Sequence, residues 1–531
     1  MSVAGVREEA RQFRTYLRAL RDFFQTPVAS EGARPEIERR IASRAASFLE
    51  VADRGIYAEP ASPYKALLAH AGVEREDLRR LVHERGVEGA LAALHERGVY
   101  LTIDELKGRT PIRRGSLELD VTAADFDNPL TVAHYRSQTG GSGGSPRPLL
   151  LSLDSLKHVL PYYRVVLAAH GVQDRPFAMW GPLPPSTWFL LALLFAKIGM
   201  GPERWFAHSG LRFRPSSLRP FLLIAAAARA ARRSGVTIAF PKDAPSEHSI
   251  AAWLAEKRAA GTAALQWSTA SSAVRICRAA REGGLQIEGT VFWVGGEPLT
   301  QAKAAEIEAA GCRVMSSYGT TEIGAIGFPC AAPAAADDVH VCTDAVALLE
   351  RPRPVGNGAT VDALFLTGLH PFTPKLMLNV ESGDYAILEE RDCGCLLHEV
   401  GYTQHLHTIR SYEKLTSEGM TFLDDDLIRL IEEVLPRRFG GSSTDYQFVE
   451  REEKGLTRVA LVVSPRVGPV DEEALRARVL SALASAGRPQ AMMAGVWAEH
   501  GTLQIERREP YTTSGSKVLP LHLVSGARAR T

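Results

Sequence analysis

The chain has 531 residues, 45% of them hydrophobic, and its 62 basic and 61 acidic residues leave a formal net charge of +1. This balance argues against nucleic-acid binding, which needs a basic surface, and the length leaves room for two or three domains. Six scattered cysteines are too few for a disulfide framework in a protein of this size, so they indicate free thiols or a metal site.

The apolar stretches predict a protein without a membrane span. The longest, at 188–196, is too short to cross a bilayer. The N-terminal residues are charged early and lack the apolar core of a signal peptide. We therefore expect a cytoplasmic protein, with its oligomeric state left open by the sequence.

The first hundred residues show the spacing of helices. Apolar side chains recur at Phe13, Tyr16, Leu17 and Leu20, and no strand pattern interrupts 6–108.

From 128 to 410, helices and strands alternate. The apolar helices lie at 186–200 and 218–233, and the strands at 237–240, 289–294 and 312–316. Such alternation predicts parallel sheets covered by helices.

The last part of the chain has a different pattern, typical of a compact α+β domain. Its predicted helices lie at 424–434 and 472–486, and its strands at 445–450, 458–463 and near Val496. The sequence thus predicts an α/β protein with a helical region at 1–125, a core domain of helix-flanked parallel sheets at 126–410, and a small mobile α+β domain at 411–531. The segment 410–413 would join the last two.

A glycine-rich loop between two apolar runs indicates a phosphate site. Residues 139–147 read Thr-Gly-Gly-Ser-Gly-Gly-Ser-Pro-Arg. Glycines let the backbone approach closely and direct N–H groups at phosphate oxygens, to which hydroxyls and a cation add. The candidate ligands are Thr139, Gly140, Gly141, Ser142, Gly143, Gly144 and Arg147. Such a cluster is also typical of a flexible linker, and its strand-loop-strand setting differs from the loop-helix of the common nucleotide motif.

Further polar motifs follow in order along the core domain. They comprise Gly295, Gly296, Glu297 and Pro298, then Ser317, Tyr318, Gly319, Thr320, Thr321 and Glu322, then Asp384, and finally Arg410. Each alone is a common turn or loop, but their joint order is far less common than any one of them.

In order and spacing these motifs resemble the adenylate-forming enzymes, which include acyl-CoA and aryl-CoA ligases, carrier-loading adenylation domains and luciferases. The resemblance covers about half the chain, from Thr139 to Arg410. Within that superfamily, the chain is most similar to the phenylacetate-CoA ligase branch and the acyl-protein synthetases of bacterial luminescence.

The resemblance implies a role for each matching residue. Tyr318 would lie against adenine, Gly295 to Glu297 would form the wall of its pocket, and Asp384 would accept hydrogen bonds from the ribose. Thr321 would contact the α-phosphate, Glu322 would bind Mg²⁺, Arg410 would follow at the nucleotide, and Arg147 stands where lysine is usual.

The C-terminal part departs from the family pattern at two positions. The segment 511–517 resembles the family's Thr-x-x-Gly-Lys ending, whose lysine bridges carboxylate and phosphate, but Ser516 separates the glycine from Lys517. Lys517 is therefore a candidate catalytic residue whose alternative is a solvated surface lysine. Tyr412 stands where the family's hinge often has aspartate, which leaves the pivot of the small domain open.

Some members of the same branch carry cysteines and a histidine at spacings that match this chain. The corresponding residues are Cys330, His340, Cys393 and Cys395. Three thiolates and an imidazole suit tetrahedral structural Zn²⁺. Buried reduced thiols are the alternative, and the competing ligands are Cys342, His398, His405 and His407.

The chemistry expected from this set is the activation of a carboxylic acid. A carboxylate is a poor electrophile, so it must attack the α-phosphate of ATP and become an acyl adenylate, which requires positioning and charge neutralisation. We expect an AMP-forming acid-thiol ligase that uses ATP and Mg²⁺ and transfers the acyl group to coenzyme A. The alternatives are loading of a carrier protein or protein cysteine, and a non-catalytic nucleotide-binding homologue.

The acid itself is not identified by the sequence. The segment 267–271 and the apolar region around Trp180 and Trp188 could line an acyl pocket, since such pockets are mainly aromatic and aliphatic. Core packing explains the same residues equally well.

Overall fold

The computed structural model describes residues 3–26, 32–132, 134–139, 147–184, 186–207, 218–242, 246–355, 359–412, 416–417, 420–421, 424–453, 456–485, 503–513 and 515–524. In that part of the chain, none of the helices combines the length and apolar character that a membrane span requires.

The N-terminal region is helical, as its apolar spacing predicts. Its helices are α1 (Val3–Gln25), α2 (Ala33–Ala42), α3 (Arg44–Val51), α4 (Pro63–His70), α5 (Arg75–Glu96) and α6 (Ile103–Leu106), with a π-helical turn at Ala52–Tyr57. A short hairpin, β1 (Ile112–Arg114) and β2 (Leu117–Leu119), and a 3₁₀ turn at Ala123–Phe126 follow. The hairpin of β3 (Tyr135–Thr139) and β4 (Arg147–Leu151) then leads into the core domain.

A twelve-stranded mixed sheet forms the centre of the molecule. Its strands are β5 (Phe177–Gly181), β6 (Arg204–Ala207), β7 (Pro241–Lys242), β8 (Leu265–Ser268), β9 (Val291–Gly295), β10 (Arg313–Thr320), β11 (Gly324–Pro329), β12 (Val339–Val341), β13 (Val346–Val355), β14 (Ala359–Gly368), β15 (Val380–Glu390) and β16 (Gln404–Ser411). Their order across the sheet is β13-β14-β15-β16-β12-β11-β10-β9-β8-β5-β6-β7.

The sheet has a parallel half and an antiparallel half, which meet at β10. This strand pairs in parallel with β9 and antiparallel with β11, and its register shifts between Tyr318 and Gly319. The sequence predicts the parallel half, and the structure confirms it. The antiparallel half was not predicted, since its strands follow one another along the chain with little helix between them.

Helices cover both faces of the parallel half. One face packs against α1, α7 (Leu153–His170), α8 (Thr187–Lys197) and α9 (Leu218–Arg233), and the other against α10 (Glu247–Ala259), α11 (Ala270–Glu282) and α12 (Gln301–Glu308). Burial on both faces explains the unbroken apolar runs of strands such as β9. The N-terminal helices α3 to α6 pack mainly against the antiparallel half, and the short helix α13 (Leu396–Glu399) joins the first face.

Capping residues start the helices that follow β8 and β9 at the carboxyl edge of the parallel half. Thr269 follows β8 and accepts a hydrogen bond from the Ser272 N–H of α11, while Thr300 begins α12 by accepting from the Lys303 N–H. The loops between strand and helix therefore open at this edge, where ligands bind in open α/β sheets.

A small C-terminal domain has its own sheet and core. The sheet runs β21-β20-β19-β22, with β19 (Tyr446–Glu453), β20 (Leu456–Val463), β21 (Leu503–Arg507) and β22 (Leu521–Val524). Its helices are α14 (Asp424–Arg429), a π-helical turn (Leu430–Val434), α15 (Leu435–Phe439) and α16 (Glu472–Ser485), with a 3₁₀ turn at Pro465–Val467. The two-stranded pair β17 (Thr416–Ser417) and β18 (Met420–Thr421) precedes it.

This C-terminal domain lies against α11 and α12 of the core domain. Lys303 Nζ is 2.8 Å from Glu432 Oε1, and Arg278 Nη1 is 2.7 Å from Asp445 Oδ1. These contacts bring the end of the chain to the carboxyl edge of the large sheet.

Of the predicted strands, one differs from the structure and another lies outside the described residues. Residues 237–240 form no strand, because the chain joins the sheet only at Pro241 and Lys242, where β7 pairs with Trp205 and Phe206. The strand expected near Val496 falls outside the described residues.

Candidate active site

Tyr318 and Asp384 meet at the junction of the two half-sheets. The Tyr318 hydroxyl donates a hydrogen bond to Asp384 Oδ2 at 2.8 Å across 66 residues of chain. Burial, and after it the Asp384 carboxylate, raises the pKa of Tyr318 well above its ordinary value, so the phenol remains a donor. The two residues expected at adenine and ribose therefore form one pair.

The backbone around Tyr318 has little room for other side chains. A Cβ on Gly319 would lie 2.5 Å from the Gly324 carbonyl oxygen of the neighbouring strand, so glycine is needed there. The hydroxyl of Ser317 accepts a hydrogen bond from the Trp293 indole at 2.7 Å. Ser317 was expected at the nucleotide, and the structure shows its side chain engaged with the core of the sheet.

The turn that follows β9 lies beside β10. Gly295 pairs with Ser317, and Gly296 has φ 81°, a left-handed conformation that favours glycine. The carboxylate of Glu297 turns back to the start of α11, where it accepts hydrogen bonds from the Ser271 N–H at 2.7 Å and the Ser271 hydroxyl at 2.9 Å. Pro298 completes the turn. Each oxygen of the Glu297 carboxylate therefore accepts one hydrogen bond from Ser271, which holds the side chain in place.

Lys517 reaches this turn from the C-terminal domain. Its Nζ donates to the Gly296 carbonyl at 2.5 Å, across 221 residues. The loop that carries it is tied by Gln447, whose amide donates to the Tyr511 and Leu519 carbonyls at 3.0 and 2.8 Å. The extra Ser516 takes a left-handed conformation with φ 58°, and Lys517 still points into the site.

Arg410 is held by a residue that the sequence motifs do not include. Its Nη1 is 2.9 Å from Asp337 Oδ2, and the same buried carboxylate accepts from the Thr408 and Ile409 N–H groups at 2.9 Å each. On β15 and β16, Arg410 stands opposite Tyr385, next to the pair of Asp384 with Ser411. Asp337 thus sets the direction of the arginine.

Tyr412, where the family often has aspartate, is a buried structural residue. Its hydroxyl donates to Glu381 Oε1 at 2.7 Å, its N–H donates to the Gly383 carbonyl, and Arg353 lies 3.0 Å from the same carboxylate. The phenol thus ties the start of the C-terminal segment to β15.

Thr320, Thr321 and Glu322 form the tight connection between β10 and β11. Thr320 Oγ1 accepts from the Ile323 N–H at 3.4 Å, and the Glu322 carbonyl accepts from the Lys375 N–H at 3.0 Å. The connection is only partly buried, so a hydroxyl and a carboxylate stand at the edge of the site. A carboxylate oxygen beside phosphate is a suitable ligand for Mg²⁺.

The predicted phosphate loop is described only at its two ends. Gly140, Gly141, Ser142, Gly143 and Gly144 lie outside the described residues. Thr139 and Arg147 pair directly across β3 and β4, so the loop connects the strands of a hairpin. The two strands predicted to flank the loop are present.

A second cluster contains the four predicted metal ligands. The sulfurs of Cys330, Cys393 and Cys395 and a ring nitrogen of His340 all lie within 4.8 Å of one another. His340 Nε2 is 3.1 Å from Cys395 Sγ and 3.5 Å from Cys393 Sγ. Its Nδ1 lies 2.7 Å from the Tyr402 carbonyl and must donate to it, which leaves a lone pair on Nε2 facing the thiols.

The surroundings of this cluster also suit a thiolate-bound cation. The Ala332 N–H donates to Cys330 Sγ at 3.3 Å, the kind of outer contact that orients metal ligands. Among the competing ligands, His405 lies with Cys330 and Asp338 in a second group of possible ligands, whereas His398 faces Asp392 and His407 faces Glu389. The three thiols and His340 have the ligand types and number of a closed zinc site.

Comparison with solved structures identifies the fold. A 2-hydroxyisobutyryl-CoA ligase in the postadenylation state, in complex with R3-HIB-AMP, has a TM-score of 0.54 and 14% identity, covering 92% of this chain and 90% of that chain. This is the fold of the adenylate-forming enzymes. The same ligase in complex with 2-HIB-AMP has a TM-score of 0.50 and 15% identity, over 93% and 88% of the two chains. No protein-family model matches this chain, and no curated protein does.

The adenylate-forming fold confirms the fold class expected from the motifs. Residues that no motif indicated hold two of the candidate residues: Asp337 binds Arg410, and Trp293 donates to Ser317. Their only signal in the sequence is a polar residue before a strand or an aromatic residue within one, which is too common to be selective. The segment 267–271 was expected to line an acyl pocket or to pack in the core; its Ser268, Thr269 and Ser271 are buried, and Ser271 also donates to Glu297. Trp267 packs 4.7 Å from Trp293, centroid to centroid.

Proposed function

We propose that this protein is an ATP-dependent ligase that converts a carboxylic acid into an acyl adenylate and passes the acyl group to a thiol, that of coenzyme A. The observation that carries the proposal is the convergence of Tyr318, Asp384 and Lys517 on the turn and strand of one sheet edge. Segments far apart in the chain thus supply an aromatic ring, a hydrogen-bond acceptor and a cation to one place.

The proposed first step is a displacement at phosphorus. A carboxylate oxygen of the acid attacks the α-phosphorus of ATP, the bond from that phosphorus to the bridging oxygen breaks, and pyrophosphate leaves with the electron pair. In the second step the sulfur of the thiol attacks the acyl carbon, loses its proton, and AMP leaves. The first step needs alignment and neutralised charge more than proton transfer.

Each residue has a part in this proposal. Tyr318 supports the adenine, Asp384 accepts from the ribose hydroxyls, and Lys517 places its ammonium between the carboxylate and the α-phosphate. Glu322 would hold Mg²⁺, which neutralises phosphate charge when bound. Arg147 and Arg410 add positive charge around the phosphates.

Coenzyme A is proposed as the acceptor for two reasons. The ordered motifs are most similar to those of the branch that contains the phenylacetate-CoA ligases as well as the acyl-protein synthetases, and the similar solved structures include a CoA ligase. An acyl group that remains attached to a protein would favour the carrier-protein alternative instead.

We also propose that Cys330, His340, Cys393 and Cys395 bind a structural zinc ion. The fit of the lone pair on His340 Nε2 to two thiols supports this assignment. The cluster ties β11 and β12 to the segment before β16, and these strands border the Tyr318 junction. Zinc would therefore support the site without entering the reaction.

The direct test is a pyrophosphate-release assay across a panel of aromatic and aliphatic acids, with and without coenzyme A. We expect release that depends on one class of acid, and an acyl-CoA product by mass spectrometry. Nucleotide binding without release across the panel would instead support a non-catalytic homologue.

Replacing the lysine separates its role from that of the fold. Lys517→Ala should lower adenylation by about 100-fold, the loss typical of removing one group that stabilises transition-state charge. Lys257→Ala is the matched control, because Lys257 pairs with Glu203 away from the sheet edge and should leave the rate unchanged. An unchanged rate in Lys517→Ala would remove the catalytic assignment.

A further inference from the structure

A buried serine links the Lys517 loop to the core domain. Ser271 is fully buried at the start of α11. The Val518 N–H lies 3.4 Å from its hydroxyl oxygen, and the hydroxyl lies 2.9 Å from Glu297 Oε2. No motif includes Ser271, and its place in the chain predicts only a residue of the pocket or core.

The direction of these hydrogen bonds follows from the chemistry of the groups. A carboxylate only accepts, so the single Ser271 hydroxyl proton goes to Glu297, at the shorter of its distances. The oxygen is then free to accept from Val518. The result is a relay from Val518 through Ser271 to Glu297, and the Ser271 N–H adds a second bond to the carboxylate at 2.7 Å.

The relay acts on both sides of the Lys517 contact. Val518 follows Lys517, and Glu297 follows Gly296, whose carbonyl accepts from the Lys517 ammonium at 2.5 Å. A second contact supports the loop, since the Ser272 hydroxyl donates to the Ser516 carbonyl at 3.4 Å. The start of α11 therefore contacts both the loop that carries Lys517 and the turn that carries the Gly296 carbonyl.

We infer that Ser271 is a positioning residue for Lys517: by fastening Val518 to Glu297 it sets the place of the lysine ammonium beside the Gly296 turn. The inference rests on the proposed adenylation, in which that ammonium aligns carboxylate and phosphate. Ser271 does not touch the reacting atoms, and it acts through the lysine.

The first test reads the lysine without any activity. The full-length chain is treated briefly with trace acetic anhydride, and the acetylation rate of Lys517 is measured by mass spectrometry relative to Lys257. In Ser271→Ala the rate at Lys517 should rise about fivefold, the factor that one lost hydrogen bond corresponds to. Ser47→Ala is the control, because its hydroxyl also donates to a carbonyl, that of Leu369 at 2.7 Å, but in the N-terminal region.

A second variant addresses the same relay from its other end. In Glu297→Gln, one carboxylate oxygen becomes an NH₂ group that cannot accept, so one of the two Ser271 donors loses its partner. Labelling of Lys517 should rise here as well, even if Ser271→Ala folds poorly. An unchanged Lys517 rate in both variants would overturn the inference, whether or not the protein is active.

The third measurement links position to catalysis. In pyrophosphate exchange, Ser271→Ala should lower kcat about fivefold to tenfold with the KM for ATP unchanged, because the lysine is misplaced while the nucleotide contacts remain. Raised labelling with an unchanged kcat would overturn the link to adenylation. Failure of the wild-type chain to activate any acid would contradict the proposed function, and the labelling result would still decide how Ser271 acts.

Discussion

Ser516, Thr408 and Asn379 have positive φ values of 58°, 54° and 49°, a conformation that residues other than glycine seldom adopt. Two of them stand next to the site. Ser516 precedes Lys517, and the Thr408 N–H donates to Asp337, which holds Arg410. Backbone of this kind persists only where its surroundings enforce it, and it is common at functional sites. The single extra residue before Lys517 is thus absorbed by one unusual backbone angle.

A buried histidine gives the stability of the fold a pH dependence. Burial, with Arg40 as a lesser cause, lowers the pKa of His370 to about 3, and its Nδ1 accepts from the Phe372 N–H at 3.1 Å. The ring of His158 is 4.1 Å away, centroid to centroid, and burial lowers its pKa well below the ordinary value too. Nearby, burial raises the pKa of Asp344.

The sign of the effect follows from the unfolded chain, in which histidine titrates near pH 6.5. Below that pH the unfolded state binds protons that the folded state excludes, so the free energy of unfolding falls as the pH drops from about 6.5 towards about 3. His370→Gln keeps an acceptor and should reduce this slope by about 1.4 kcal/mol per pH unit in urea unfolding between pH 6 and pH 4. The same slope in wild type and variant would contradict the assignment.

Among helices and strands, β10 and α12 do most to organise the site. The carboxyl end of β10 passes beyond the parallel strands and turns into β11, which exposes the loop of Thr321 and Glu322. Helix α12 presents Lys303 to the C-terminal domain, where its side chain and that of Glu432 are only 3% and 2% exposed. Thr300 also donates to Glu432, at 2.5 Å. This ion pair joins the element after the Gly296 turn to the domain that carries Lys517.

Breaking this ion pair at one end should be costly. Lys303→Met leaves the Glu432 carboxylate buried without its cation, and we expect a loss of about 3 to 5 kcal/mol in the free energy of unfolding. The double variant Lys303→Met, Glu432→Leu removes both charges and should recover most of that loss. Urea unfolding of both variants decides the matter, and equal losses in the two would argue against an interdependent pair.

In the part of the chain that the structure describes, three hydrophobic cores lie against the central sheet, and a fourth lies within the C-terminal domain. Helices α1 and α2 pack into the core on one face of the parallel half, and α3 to α6 pack into the core on the antiparallel half. The N-terminal helices are therefore packed against the core domain. The Cys330 cluster lies beside the core that contains α7 to α9, and Cys330 and Cys395 are buried residues of that core.

Metal content tests the zinc proposal. Purified protein should contain about one zinc ion per chain, and a chelator should lower the thermal midpoint because the ligands are drawn from separated segments. Cys395→Ser should lose both the zinc and the added stability. Cys277→Ala, a buried cysteine in a different core, is the control and should keep its zinc. Absence of stoichiometric zinc in the wild-type chain would refute the proposal.

Local patterns were enough to predict the helical start, the parallel half of the sheet and the α+β end, and they indicated the candidate motif residues. Apolar periodicity and glycine content depend on neighbours along the chain, so they can be read without coordinates. The antiparallel half-sheet, the pairing of Tyr318 with Asp384, and the meeting of Lys517 with Gly296 could not be predicted in this way. They join residues 66 and 221 positions apart: the first contact depends on how the strands of the large sheet are arranged, and the second on how the two domains pack. Asp337 and Ser271 show the same limit: a single buried polar side chain has no sequence pattern, and only its partners in space reveal what it holds.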